Sequence, residues 1–181
     1  MNLLNRRFIH LSAPVVLGLT LSACQTAPAV IRYSNGSPTA ITSKAVEVPA
    51  GNSMIFVSGN TATPARPDAS PNSPEYWGDT ETQTRAALKK IDATLHEMHL
   101  TMADVAKVQA FVVAPAGATA ADLAGFNRGF STYFGAASNG QLPSRTLVQI
   151  AALGHPNVLV EIEVMAVRPI PAQAKNITHV R

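Results

Sequence analysis

The chain has 181 residues, of which 46% are hydrophobic and only 14% are charged, so it is long enough for one well-packed domain with tails. The formal net charge is +3, but without Arg6 and Arg7 near the N-terminus the chain carries 12 Lys and Arg residues against 11 Asp and Glu residues. A body so close to neutral has no bulk charge to attract phosphate backbones, which argues against nucleic acid as a partner.

The first 23 residues predict a cleaved export signal. Arg6 and Arg7 precede an apolar run that is too short, and too interrupted by Pro14, to span a membrane stably. The run ends in Leu-Ser-Ala-Cys at residues 21–24, which resembles the bacterial lipobox, and Cys24 is the only cysteine of the chain. Acylation there would tether the protein firmly to a membrane.

Residues near Cys24 bear on the membrane to which the protein is sent and on its export pathway. Gln25 is not the aspartate associated with inner-membrane retention, so we expect the periplasmic face of the outer membrane. The pair Arg6-Arg7 leaves both general secretion and twin-arginine export open, and a plain signal peptide with a chance cysteine is the alternative to lipidation. Beyond Cys24 the chain has no cysteine, which excludes a disulfide framework and a catalytic thiol.

The mature chain begins with a tether and two short strands. Residues 24–44 are rich in Ser, Thr, Ala, Pro and Gly and predict a flexible linker. Apolar alternation at residues 45–48 and 54–57, around a Pro-Ala-Gly-Asn turn, predicts a strand, a turn and a strand. The insertion at residues 61–78 contains four prolines and predicts a long loop that is neither helix nor central strand.

Two helices and a strand follow. A helix is predicted from Asp79 with apolar residues three and four apart, and a Thr-x-x-Asp cap at residues 101–104 precedes a strand through residue 112. A second Thr-x-x-Asp pattern at residues 119–122 predicts a helix that carries Leu123 and three phenylalanines and stops at Gly135. The element order predicts an α+β fold, a mixed sheet with both helices on one face. Residues 170–181 predict a frayed tail.

Residues 141–167 predict two apolar strands folded as a hairpin about the turn at residues 154–157. Alternation in that hairpin puts Arg145, Glu161 and Glu163 on one face, the face that the helices do not cover. Gln149 would then oppose Glu161, leaving Arg145 about 13 Å away, too far for an ion pair within one chain. A half-apolar face with unpaired charges indicates a subunit interface that contains a site.

Four segments make the domain recognisable: VPAGNSMIFVSGN, ETQTRAALKKIDATLHEMHLTMADVAKVQAFVV, FNRGFSTYF and LPSRTLVQIAALGHPNVLVEIEVMAV. Within residues 45–169 they resemble the RidA/YjgF family of reactive-intermediate deaminases, most specifically in Pro143-x-Arg145 followed by Val-Glu-Ile-Glu at 160–163. The resemblance implies chorismate-mutase-like subunits in a homotrimer with a central barrel, and three sites between subunits. It also implies hydrolysis of enamines and imines of 2-oxo acids, such as 2-aminoacrylate, to the oxo acid and ammonia, without metal or organic cofactor.

The resemblance assigns roles residue by residue. Arg145 matches the arginine that holds the substrate carboxylate, a task for which its planar fork is suited. Glu161 matches the catalytic acid that orients water and moves protons. Leu147 stands where many relatives have cysteine, at a position that contributes its backbone N–H.

Asn127, Ser58 and Gly59 match smaller parts of the family's substrate pocket. Asn127 is either a pocket residue or an ordinary exposed helix residue. Ser58 and Gly59 form a strand-end turn, which is compatible with a place in the site.

One departure from the family concerns a tyrosine that relatives carry ahead of the first strand, where this chain has PTAITSKAVEV. We expect Tyr76, in the Pro-rich insertion, either to form a lid over the cleft or to lie in a solvent-exposed loop. A noncatalytic carboxylate-binding or envelope interaction module on the same fold is the alternative to the deaminase. A ribonuclease ranks last, since no basic groove or histidine pair is present, and His96-Glu-Met-His99 lacks the spacing of a zinc motif.

Overall fold

The computed structural model describes residues 30–135 and 141–169. Its elements in chain order are β1 Ile31–Tyr33, β2 Ala45–Glu47, β3 Ser53–Thr61, α1 Pro74–Trp77, α2 Thr80–Glu97, a 3₁₀ turn Met102–Asp104, β4 Val105–Val112, α3 Leu123–Ser131, β5 Ser144–Gln149 and β6 Val160–Arg168. The expected signal peptide, Cys24 and the tail at residues 170–181 lie outside the described residues. In the described part of the chain no helix is both long and apolar enough to cross a membrane.

The central sheet is mixed, as predicted. Its strand order is β3-β6-β4-β5, with β6 antiparallel to both of its neighbours and β5 parallel to β4. Strands β1 and β2 pair with each other in a separate two-stranded sheet. Because β5 ends the order, one of its edges is not covered by another strand of this sheet.

Both long helices cover the same face of the sheet, which confirms the α+β prediction. The apolar residues spaced three and four apart on α2 and α3 are fully buried against alternate residues of β4 and β6. They form one core with Leu88, Ile91, Leu95, Phe126, Phe130, Phe134, Val108 and Ile162 at its centre.

The helix starts follow local hydrogen bonding. The helix α2 starts where it was predicted to start, and Asp79 caps it by accepting a hydrogen bond from the Thr82 N–H at 2.8 Å. The cap of α3 is Asp122, whose carboxylate accepts from the Gly125 N–H at 2.8 Å, rather than the predicted Thr119. The helix therefore begins one turn later than the Thr-x-x-Asp pattern indicated.

The predicted tether contains ordered structure, so its boundary at residue 44 is corrected. Arg32 on β1 donates to the carbonyls of Ala103 and Leu142 at 2.7 Å each and of Val105 at 3.1 Å. The Ser43 N–H adds a bond to the Pro143 carbonyl at 2.9 Å. These contacts are with residues about 70 to 110 positions away, which composition alone does not reveal.

The Pro-rich insertion also contains a helix, contrary to the prediction. The four-residue α1 begins with Pro74, whose missing N–H is tolerated at a first helical position. The segment rests on the 154–157 turn, where the Asn157 amide donates to the Asn72 carbonyl at 2.8 Å. The Trp77 and His155 rings lie 5.1 Å apart, between centroids.

The predicted hairpin of residues 141–167 is wrong, because β5 and β6 lie on opposite sides of β4. Val108 of β4 pairs with Arg145 on one side and with Val164 on the other. Since residues in one row of a sheet point to the same face, Arg145 faces the helices. Glu161 and Glu163 pair with alternate residues of β4 and face the other way, so the three charges do not share a face.

Candidate functional site

Arg145 lies on an aromatic platform formed by α3. The centre of its guanidinium is 4.5 Å from the Phe130 ring centroid and 5.5 Å from that of Phe126. The two rings stack with centroids 5.8 Å apart, and both side chains are fully buried. Cation–π attraction of this kind fixes the direction of the guanidinium without neutralising its charge. The sequence pattern placed these phenylalanines on a helix, and their spacing of four residues carried no signal for the platform.

No acidic side chain of the described residues forms an ion pair with the Arg145 guanidinium. Its Nη1 atom is buried and has no hydrogen-bond partner among the described residues. Burial lowers the pKa of Arg145 from its ordinary value, and no carboxylate opposes that effect. An unpaired charge in such a place is unfavourable, so the site is prepared for an anionic ligand with oxygen acceptors.

Asn127 offers the complementary kind of group. It lies between Phe126 and Phe130 on α3, and its Oδ1 atom is buried without a partner among the described residues. The helix thus carries the platform for Arg145 and an unused hydrogen-bond acceptor within one turn. The exposed-residue alternative for Asn127 does not fit this buried oxygen.

The backbone N–H of Leu147 lies on the edge of β5 that is not paired with another strand of the sheet. The Ile150 N–H donates to the Val112 carbonyl of β4 at 2.9 Å. Backbone groups alternate between the two edges of a strand, so the N–H of Leu147 points away from β4. Its side chain, paired in register with Ala110, packs against the core. A backbone N–H that points away from β4 therefore follows Arg145 by two residues along the strand.

Glu161 lies on the open face of the sheet, directly over Gly59. It pairs with Phe111 on β4 and with Thr61 on β3. A Cβ atom placed on Gly59 would overlap the carboxylate oxygen Oε1 of Glu161 and would lie 2.9 Å from its Cδ. Only glycine leaves room for the carboxylate in this position, which ties the two predicted site residues together.

Ser58 and Gly59 form a β-bulge. The register between β3 and β6 shifts between Val57, which pairs with Val164, and Asn60, which pairs with Ile162. Two residues of β3 therefore oppose the single residue Glu163. Bulges bend a strand and redirect side chains, and they are frequent beside active sites. The predicted strand-end turn is thus a bulge inside a longer strand.

Within one chain the two charged site residues are far apart. Arg145 pairs with Val108 and Glu161 with Phe111, so they are offset by about 10 Å along β4 and about 10 Å across two strand spacings. Their Cα atoms are therefore about 14 Å apart, and the side chains leave opposite faces. The distance between Arg145 and Glu161 is close to the one estimated from the sequence, although the hairpin used for that estimate is not formed. One small molecule cannot contact both groups of the same chain.

The insertion stands at the end of the sheet where Glu161 lies. Tyr76 packs edge-on against Trp77 at 5.1 Å between centroids, and its carbonyl accepts hydrogen bonds from the Ala65 and Arg66 N–H groups. Arg145 is near the start of β5, toward the opposite end of the sheet. Tyr76 is therefore not brought to Arg145 of its own chain.

The described residues 30–135 and 141–169 contain no group of three His, Cys, Asp or Glu side chains that could hold a metal ion. The arrangement offers a half-buried cation, a backbone N–H at a sheet edge, a buried amide oxygen and a carboxylate held against a bulge. Such a set can bind a carboxylate and handle protons.

Comparisons with known proteins agree with this architecture. A family model described as Endoribonuclease L-PSP matches residues 36–168. The structure of YyfB from Yersinia pestis, a Rid-family protein of unknown function, is 24% identical over 69% of this chain and 85% of its own, with a TM-score of 0.53. A protein of unknown function from Pseudomonas aeruginosa is 27% identical over 76% of this chain and 92% of its own, with a TM-score of 0.51. The matched segment includes every described residue of the candidate site, and the chain belongs to the endoribonuclease L-PSP family, which is the YjgF/RidA family.

Proposed function

We propose that the protein is a hydrolytic deaminase of enamines and imines of 2-oxo acids, releasing the 2-oxo acid and ammonia. The observation that carries the proposal is the half-buried Arg145, whose buried Nη1 atom lacks a partner among the described residues. A 2-imino acid supplies the carboxylate that this group requires. Charge-assisted hydrogen bonds of this kind are about twice as strong as neutral ones.

Two further groups suit the two ends of such a substrate. The Leu147 N–H donates to a carboxylate oxygen of the substrate, and the Asn127 Oδ1 accepts from the imine N–H. The Asn127 Oδ1 atom has no hydrogen-bond partner among the described residues, and the Leu147 N–H lies on the edge of β5 that faces away from β4.

Glu161 handles water and protons. The water oxygen bonds to the imine carbon while the carboxylate takes one water proton and passes it to nitrogen. The resulting carbinolamine then transfers its hydroxyl proton to nitrogen through the same carboxylate, the C–N bond breaks, and a carbonyl and ammonia form. The sum is one water consumed and one ammonia released.

The site requires two copies of the chain. Since Arg145 and Glu161 are about 14 Å apart on opposite faces of one sheet, we place the cleft between subunits of a homotrimer. The open sheet face supports such packing, because Phe56 is 70% exposed and Met54 and Val148 are 40% exposed there.

An assay of imine decay tests the activity. Purified residues 25–181 should accelerate hydrolysis of 2-iminopropionate or a longer 2-imino acid, and Arg145→Ala and Glu161→Gln should each abolish the effect. Glu163→Gln is the matched control, because it lies two residues further on the same strand and face. Activity that survives Glu161→Gln and falls with Glu163→Gln would contradict the assignment.

Subunit mixing tests the intersubunit cleft. Hybrid trimers of inactive Arg145→Ala and inactive Glu161→Gln chains contain some clefts with both native residues. A random one-to-one mixture should recover roughly a quarter of the wild-type activity if each cleft takes one residue from each neighbour. No recovery in verified hybrids, or a monomeric wild type, would contradict the shared site.

A noncatalytic carboxylate-binding module is the second candidate. It is favoured by the same unpaired Arg145, because that group requires an anion and not a reaction. Binding of 2-oxo or 2-amino acids that depends on Arg145, without hydrolysis across a panel of imino acids, would support it over the deaminase.

Two further expectations belong to the proposal. We propose export and acylation at Cys24, with the domain held at the periplasmic face of the outer membrane, which mass spectrometry of the mature N-terminus tests.

We also propose that Tyr76 covers a cleft of the trimer from the Glu161 end. Unchanged imine hydrolysis by Tyr76→Phe would exclude a catalytic hydroxyl there.

A further inference from the structure

Gln83 is a fully buried amide on α2 that sequence analysis did not single out. Its Nε2 atom donates to the carbonyls of Gly78 and Asn157 at 2.9 Å each, and its Oε1 atom accepts from the Leu159 N–H at 2.7 Å. One side chain thereby joins the end of the Pro-rich insertion, the 154–157 turn and the start of β6. Every hydrogen-bonding group of the amide except one lone pair is used.

These bonds fix the backbone from which Glu161 projects. Leu159 is held through its N–H by Gln83 and through its carbonyl by Val113, the residue after β4, whose N–H donates to that carbonyl at 2.9 Å. Glu161 follows only two residues later, about 7 Å along the strand. The Gln83 amide is therefore one of two anchors that set where β6 begins.

The same amide makes this anchor depend on the insertion. Gly78 ends the Pro-rich segment, and Asn157 belongs to the turn on which that segment rests through its bond to Asn72. Displacement of the segment would remove an acceptor from Gln83 and weaken its hold on Leu159.

We propose that Gln83 is a positioning residue for Glu161, linking the Pro-rich insertion to the carboxylate. This inference rests on the proposed deaminase function for its kinetic consequence but not for its structural one. Gln83 acts through Leu159 and does not contact substrate. Because Arg145 lies toward the other end of the sheet, loss of the amide changes the chemical step and not the binding of the substrate carboxylate.

Three variants separate positioning from general support of the fold. Gln83→Met keeps the length of the side chain but leaves the Leu159 N–H and two carbonyls without partners. Gln83→Glu keeps an acceptor for the Leu159 N–H and, in its protonated form, one donor for the two carbonyls. Thr84→Val is the matched control, since Thr84 is equally buried on the same helix and its hydroxyl donates only to the Thr80 carbonyl at 2.7 Å.

Kinetics and carboxyl NMR are measured well below the unfolding temperature of each variant. We expect Gln83→Met to lower kcat about tenfold or more with KM nearly unchanged, and Gln83→Glu to restore part of the loss, because small displacements of a catalytic group have large effects on rate. The ¹³C carboxyl resonance of Glu161, assigned with Glu161→Gln, should shift in Gln83→Met and stay in place in Thr84→Val.

The two readouts also separate the hypotheses. If the wild type hydrolyses no imine, the deaminase proposal fails, while the Glu161 resonance still decides whether Gln83 positions the carboxylate. An unmoved resonance in Gln83→Met, or equal kinetic losses in Gln83→Met and Thr84→Val, would overturn the inference.

Discussion

Gly59→Ala isolates the position of the Glu161 carboxylate from its chemistry. The new Cβ would lie 2.9 Å from Cδ and 3.2 Å from Cγ of Glu161, and it would overlap Oε1. Ordinary carbon contacts begin near 3.4 Å, so Cδ must retreat by about half an ångström and the carboxylate oxygen by about 1 Å or more. The backbone can remain in place, because the obstructing atoms belong to the far end of a flexible side chain.

The substitution should therefore change activity much more than stability. Moving the Glu161 side chain off its rotamer costs about 0.5–1.5 kcal/mol. Replacing glycine by alanine in a compatible backbone raises the free energy of unfolding by about 0.4–1 kcal/mol, because it lowers the conformational entropy of the unfolded chain. The two effects nearly cancel in the free energy of unfolding, whereas a displacement of about 1 Å lowers kcat by roughly 100-fold.

The assay compares imine hydrolysis with urea unfolding for Gly59→Ala and for Gly154→Ala. Gly154 is the matched control, because a Cβ there meets no atom within 4 Å. We expect Gly154→Ala to keep full activity. A Gly59→Ala protein with wild-type kcat would refute the assignment of Glu161 as the acid, and one destabilised by several kcal/mol would refute the reasoning about the flexible contact.

Three other perturbations follow from the described contacts. Arg145→Met should abolish carboxylate binding but keep the free energy of unfolding within about 1 kcal/mol of the wild-type value. It removes a half-buried charge whose Nη1 atom has no partner among the described residues, but also the contacts of that charge with two phenylalanine rings. A loss of several kcal/mol in urea unfolding would contradict this. Asp79→Ala should lose about 1 kcal/mol of stability at pH 7 with the cap bond to Thr82. That bond holds the pKa of Asp79 in the folded protein below its value in the unfolded chain. The loss of stability in Asp79→Ala should therefore persist at pH 5, shrink below about pH 3.9 and vanish below the folded pKa. A loss independent of pH would exclude the carboxylate as its cause. The hydrogen bond to Glu47 at 2.6 Å raises the pKa of the Tyr33 hydroxyl, so Glu47→Gln should lower that pKa in an ultraviolet titration, and an unchanged curve would show that the pair is not formed in solution.

Local sequence patterns predicted the helices and caps whose defining residues lie close together in the chain. Apolar residues three and four apart predicted α2, α3 and their shared face, because a helix buries one stripe whatever it packs against. The Asp79 cap and the Thr101–Asp104 capping box were also predictable, because each bond spans three residues. The resemblance to a family supplied Arg145 and Glu161, which periodicity alone would have left as two charges in strands.

The partners of each strand were not predictable in this way. The turn at residues 154–157 suggested a hairpin, but β4 separates β5 from β6, and the parallel pairing with β4 sets the face of Arg145. The same is true of Arg32, whose carbonyl partners are distant in sequence. Side-chain alternation assigns the residues of a strand to two faces but does not show which face packs against the core.

The sequence by itself determined the two long amphipathic helices, the four strands of the central sheet, the capping box at residues 101–104 and the residue types available for chemistry, because these depend on neighbours within one or two turns of chain. Only the tertiary structure decided that Arg145 faces the Phe126–Phe130 platform while Glu161 lies over Gly59 on the other face. It also showed Gln83 joining three distant segments. The physical reason is that strand order and register are fixed by contacts between residues far apart in the chain, and one step in register reverses the face of every side chain.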